Sequence, residues 1–103
     1  MDTSSNDAIE ALRCEIDGID DQLLGLLNRR AALACQIGKL KAAVHANEYQ
    51  ARSPNNREPA REGAIIARLE GANRGPFPSS AIAPIFNEIF TACLGLQSTQ
   101  QQN

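Results

Sequence analysis

The sequence predicts an all-α fold of three helices, one of them very long. Large apolar residues recur three and four positions apart from Ile9 to Val44, the repeat of one helix face. Two stretches rich in Asn, Pro and Gly then divide the remainder into two shorter periodic segments. Apolar residues make up 43% of the 103, with no Trp, one Tyr and three Phe, so the core is built from Leu, Ile and Ala. There is room for one domain, residues 1–103, without repeats or internal boundaries.

The first helix is expected over about 8–45. Asn6 or Asp7 offers a capping oxygen, Glu10 suits the positive end of the helix dipole, and no proline interrupts the pattern before Val44. Gly18, Gly25 and Gly38 lower the local propensity without breaking the period. Some 36 residues at 1.5 Å each make a rod of about 54 Å. A compact monomer of this size has a radius of gyration of about 13 Å, so the rod needs a partner for its apolar seam. The spacing suits helices crossing at a shallow angle, which predicts a homodimer whose long helices pack on each other.

Residues 46–58 carry no period and include Ser53, Pro54, Asn55 and Asn56, which reads as a loop. Pro59 fits the first position of a second helix, expected over 59–72, with Asn56 or Glu58 as the capping acceptor and Ile65, Ile66 and Leu69 on its apolar face. Asn73, Gly75, Pro76 and Pro78 mark a second loop, 73–79. Ser79 or Ser80 would cap the third helix, expected over 80–97, in which Pro84 falls early enough to be tolerated. The tail 98–103 is expected to fray.

Composition excludes several functions. A net charge of −2 gives no general field for nucleic acid or an acidic membrane, so anion binding must rest on a few placed cations. Cys14, Cys35 and Cys93 are odd in number, lack paired spacing and have only His45 for company, so neither a disulfide framework nor a metal site is expected. A reducing compartment fits better. No uninterrupted apolar run approaches the roughly 20 residues of a membrane span, and the start MDTSSND is polar and acidic, so the expected location is cytoplasmic.

Residues that break the apolar pattern carry the functional signal. Arg30 stands on the seam where a leucine is expected, and a guanidinium there requires a facing anion. That anion is either a bound ligand or a carboxylate of the protein itself. Lys41 follows by eleven positions, three turns with only about 20° of drift, so the two cations share a face about 16 Å apart and together suit a small dianion. A solvated lysine near a helix end is the plainer account of Lys41 alone. Gln97 extends the buried face of the third helix and can serve an ether or hydroxyl oxygen, or simply meet solvent. Cys93 reads as a small core residue with no adjacent base to activate it. Glu62 in the second helix's first turn is either dipole compensation or a hydroxyl acceptor. Arg13 lies some 25 Å before Arg30 and reaches such a site only across an antiparallel dimer. Cations with one amide and one carboxylate can hold a dicarboxylate and stabilise shifting charge without a cofactor.

The strings LRCEIDGIDDQLLGLLNRRAALACQIGKLK, REGAIIARL, NRGPF and IFNEIFTACLGLQ, in that order, closely resemble the all-helical class of chorismate mutase, most of all the mutase domain often fused to prephenate dehydratase. The resemblance covers about Ala8 to Gln97, and with so little chain beyond it the domain is expected to stand alone. It implies an intertwined, domain-swapped-like homodimer with two active sites, rearranging chorismate to prephenate without a covalent intermediate, cofactor or metal. It further implies that Arg30 holds a substrate carboxylate, that Arg13 of the other chain assists, and that Lys41 and Gln97 approach the breaking ether oxygen. Glu62 would accept from the ring hydroxyl, Arg61 would line the pocket, and Cys93 would take a place that is serine in some relatives. Glu58 would border the pocket at a position where relatives carry either acidic or basic residues, after a loop longer and more polar than in compact relatives.

Two alternatives remain on the same residues. One is isochorismate-pyruvate lyase chemistry in a similarly charged pocket. The other is a non-catalytic helical dimerisation or effector-sensing module, which would be expected to lose Lys41 or Arg30 first.

Overall fold

A computed structural model describes the backbone of residues 2–44 and 57–102, with side chains for 3–43 and 57–96. His45, residues 46–56 of the expected first loop, and the side chains of Gln97 and the tail lie outside the described residues. The described part is helical throughout apart from short connections, with no strand: α1 spans Asp2–Val44, α2 Pro59–Ala72 and α3 Ile82–Gln102, the last entered through a 3-10 turn at Ser79–Ala81. The chain divides into two units, Met1–Arg30 and Ala31–Asn103.

The first unit is the N-terminal part of α1. Its helix begins at Asp2, six residues before the expected start; the acidic Asp7 favours the positive helix end from inside the first turns as well as from a cap. Every described side chain before Arg30 is exposed. Leu12 and Leu26 are each 59% exposed, far more than isolated surface leucines require.

The second unit holds the core. Helices α2 and α3 pack against each other, and the buried apolar residues are Ala34, Ile65, Ile82, Phe90 and Cys93. Phe86 and Phe90, one turn apart, set their rings 6.1 Å apart at 59°, a tilted arrangement that avoids face-to-face repulsion. In the C-terminal part of α1 the covered face runs through Ala31, Ala34 and Gly38, whereas Leu33, Ile37 and Leu40 of the seam stay exposed. Small residues therefore face inward here, and the large ones face out.

Helix ends depart from expectation in three places. Glu58 occupies the N-cap of α2 with Pro59 next, yet its carboxylate makes no capping bond. Its carbonyl accepts the Glu62 amide at 2.9 Å, leaving the side chain free to work elsewhere. Neither Ser79 nor Ser80 caps α3 with a side-chain bond. Pro78 precedes the 3-10 turn, and Ser79 Oγ accepts from Asn73 Nδ2 at 2.9 Å. Helix α3 also continues to Gln102, past the expected end at Gln97.

Asn73 closes the connection between α2 and α3. Its Nδ2 donates to the Phe77 carbonyl at 2.7 Å as well as to Ser79, while its Oδ1 accepts the Gly75 amide at 3.0 Å. Gly75 sits at φ +73, in the left-handed region that a side chain would strain. Within α3, the stretch Ser79–Leu96 is long and apolar enough to cross a membrane by length and composition. Counting uninterrupted apolar residues passes over it because Pro84, Asn87 and Glu88 divide it.

Candidate active site

Charged side chains gather at the N-terminus of α2. Lys41, in the last turn of α1, is largely covered, and its Nζ donates to Glu58 Oε2 at 2.8 Å. The bond joins residues seventeen apart in sequence and holds the start of α2 beside the end of α1. One turn on, Glu62 is the better buried carboxylate, its side chain 16% exposed against 50% for Glu58. Arg57 grips it from the residue before the N-cap, Nε donating to Oε2 at 2.9 Å and Nη2 to Oε1 at 2.7 Å. This is the planar two-point match of guanidinium to carboxylate. Nη1 of Arg57 reaches Thr91 Oγ1 on α3 at 3.4 Å. Hydrogen bonding to Glu62 raises the Arg57 pKa against an opposing desolvation, and the carboxylate's negative charge adds to the rise.

The sign of that shift fixes its pH behaviour. Since the folded value lies above the ordinary one, the stabilisation is complete at any pH below the ordinary arginine range and is lost only as pH rises through the still higher folded value. Arg57 therefore introduces no titration near neutrality.

Arg13 is exposed and donates to Glu10 Oε1 at 3.0 Å, one turn away on the same helix. Arg30 is half-buried, unlike its seam neighbours Leu26 and Leu33, which are exposed. Arg61 is exposed on α2. Cys93 is a buried cysteine on α3, two residues beyond Thr91. Gln97 follows it by one turn on the α3 backbone.

Arg57 and Thr91 are the residues that sequence reasoning missed. Arg57 lay at the end of an aperiodic segment, where no face could be assigned. One signal was present: a cation directly before a helix start that carries a glutamate in its first turn. Thr91 had no such signal, because its hydroxyl donates to the Asn87 carbonyl at 3.0 Å as many helical threonines do.

The arrangement alternates charge within a short space: cation, carboxylate, guanidinium, carboxylate. It can receive an anionic ligand at Lys41 by exchange with Glu58, whose carboxylate is half exposed and free to turn to water. It can also present a fixed carboxylate acceptor at Glu62.

Comparison with known proteins places the chain in a family. The profile of chorismate mutase type II matches residues 12–98. A bifunctional chorismate mutase/prephenate dehydratase of Aquifex aeolicus is 38% identical over 93 residues, 86% of this chain and 24% of that protein. The enzyme of the same name from Neisseria gonorrhoeae is 37% identical over 87 residues, covering 82% of this chain and 21% of its own. The chain spans about a quarter of the length of the curated relatives it matches. Among solved structures, chorismate mutase (Form II) from Thermus thermophilus aligns with a TM-score of 0.76 at 35% identity, over 88% of this chain and 94% of that one. With the match running from the first helix through the third, the chain belongs to the chorismate mutase type II family.

Proposed function

We propose that this chain is an isomerase of the shikimate pathway's aromatic branch, rearranging chorismate to prephenate within a homodimer. The observation that carries the reading is the Lys41–Glu58 pair one helical turn from a clamped Glu62, in a chain of this family. Lys41 and Gln97 act on the ether oxygen as its bond to the ring breaks and negative charge builds there. A donor aimed at such a site contributes about 3–4 kcal/mol to the transition state. Arg30 holds a carboxylate and restrains the enolpyruvyl side chain over the ring, an orientation effect. Glu62 accepts from the ring hydroxyl, while Glu58, Arg61 and Cys93 border the pocket. No step calls for a cofactor or metal.

The exposed seam of α1 supports the dimer. Each half-exposed leucine or isoleucine that a second copy covers contributes about 1–2 kcal/mol, and the seam runs through Ile9, Leu12, Ile16, Ile19, Leu23 and Leu26 in the first unit alone. In this reading the two copies intertwine, Arg13 serves the partner's site, and residues 1–103 fold as one domain completed by its partner. An odd number of cysteines without paired spacing suits a cytoplasmic location.

Loss of chorismate absorbance on adding purified protein tests the activity, with Lys41→Ala and Arg30→Ala beside the parent. Variants equal to the parent would remove the site assignment. Supplying isochorismate separately distinguishes a lyase, which would yield salicylate and pyruvate. Because Gln97 donates as an amide in any protonation state of its neighbours, the rate is expected to stay level between roughly pH 5 and 8. A fall of about tenfold per pH unit would instead point to an essential protonated acid.

A further inference from the structure

We propose that Arg57 is a positioning residue that fixes the Glu62 carboxylate for substrate, an inference resting on the assignment of Glu62 as the hydroxyl acceptor. A glutamate at a helix N-terminus has three rotatable bonds, and ordering them costs free energy whenever a ligand must be met. Arg57 removes that freedom in advance. Its Nε and Nη2 engage both carboxylate oxygens, at 2.9 and 2.7 Å, so the carboxylate plane is set as well as its position. Each oxygen keeps lone-pair capacity for a second donor, so the clamp leaves Glu62 able to accept a hydroxyl.

The guanidinium is itself anchored to a second helix. Nη1 reaches Thr91 Oγ1 at 3.4 Å. The Thr91 proton is committed to the Asn87 carbonyl at 3.0 Å, which turns the oxygen's lone pairs toward Arg57. A relay therefore runs from the α3 backbone through Thr91 and Arg57 to Glu62. Thr91 lies six residues before Gln97 on α3, so the relay ties the hydroxyl acceptor on α2 to the helix that carries the proposed ether donor. Lysine could supply the charge but not the fork, since an ammonium is a point donor that cannot hold both oxygens in one plane.

The experiment is a double-mutant cycle in the full chain, using chorismate as the probe. The variants are Arg57→Lys, Glu62→Gln and the pair, with kcat and KM resolved and melting temperatures recorded. Arg57→Lys is expected to raise KM about tenfold with a smaller change in kcat, and to leave the melting temperature within about 2 °C of the parent. In the Glu62→Gln background the same substitution is expected to have no further effect, because Arg57 acts through Glu62. Arg57→Lys matching the parent while Glu62→Gln is impaired would overturn the positioning role alone. Equal losses from Arg57→Lys in both backgrounds would also overturn it, showing that Arg57 acts independently of Glu62. Should Glu62→Gln itself match the parent, the hydroxyl-acceptor assignment falls and the positioning role falls with it.

Discussion

The two units of the chain spend their apolar residues in opposite ways. Residues 2–30 are a single helical stretch whose leucines and isoleucines are all exposed, and in which the ion pair of Arg13 with Glu10 is local and solvent-facing. Residues 31–103 bury Ile65, Ile82 and Phe90 and bind charge to charge between separate elements. Exposure in the first unit and burial in the second teach that only one of them can be stable on its own contacts. A lone amphipathic helix is marginal in water without a packing partner, so the first unit's stability must come from another surface.

Charging the seam should break the contrast most severely. The double substitution Ile19→Glu and Leu26→Glu is expected to abolish association in analytical ultracentrifugation and to take chorismate turnover below detection, since the proposed dimer would lose both its packing and the Arg13 that each copy lends the other. Turnover persisting in a monomer would show that the second unit suffices. Next in size, Lys41→Ala is expected to lower kcat/KM by roughly 10³-fold while leaving the dimer and its melting temperature intact, which separates chemistry from assembly. Phe90→Ala removes a buried ring from the α3 face and should destabilise by about 3–5 kcal/mol in denaturant titration, with the oligomeric state retained at high concentration. The smallest pair of effects sharpens the reading of the first unit. Arg13→Ala is expected to reduce kcat/KM about tenfold, whereas Glu10→Ala, which removes only its exposed helical partner, should change stability by less than about 0.5 kcal/mol. Equal behaviour of the two would assign Arg13 to the surface.

What the sequence could reveal follows the same division. Period marked α1 because one helix face stays apolar for about ten turns, whatever covers it. Pro59 and the loop at Asn73 were legible because backbone restriction is written in single residues. Lys41, Glu58 and Glu62 were visible as charges out of pattern, but their pairing was not. Glu58 looked like a cap acceptor, and the structure gives its carboxylate to Lys41 instead, because a charged partner from another helix outweighs an amide that its own backbone can leave to solvent. Arg57 escaped because periodicity says nothing about a residue outside an element. The inward stripe of Ala31, Ala34 and Gly38 escaped for a different reason: small residues register weakly in any apolar pattern beside large ones.

Asn73 has a consequence for the order in which the protein assembles. One side chain joins the end of α2, the Phe77 carbonyl and the start of the 3-10 turn within seven residues, so the α2–α3 hairpin closes on a short loop with little chain entropy to lose. Local contacts of this kind form quickly. In the proposed dimer the long helix, by contrast, waits for a collision between two chains. Refolding is therefore expected to show an early phase independent of protein concentration, as the hairpin forms, and a later one that quickens as concentration rises. At the low concentrations of a newly made protein, the second phase would set how soon the enzyme begins to work.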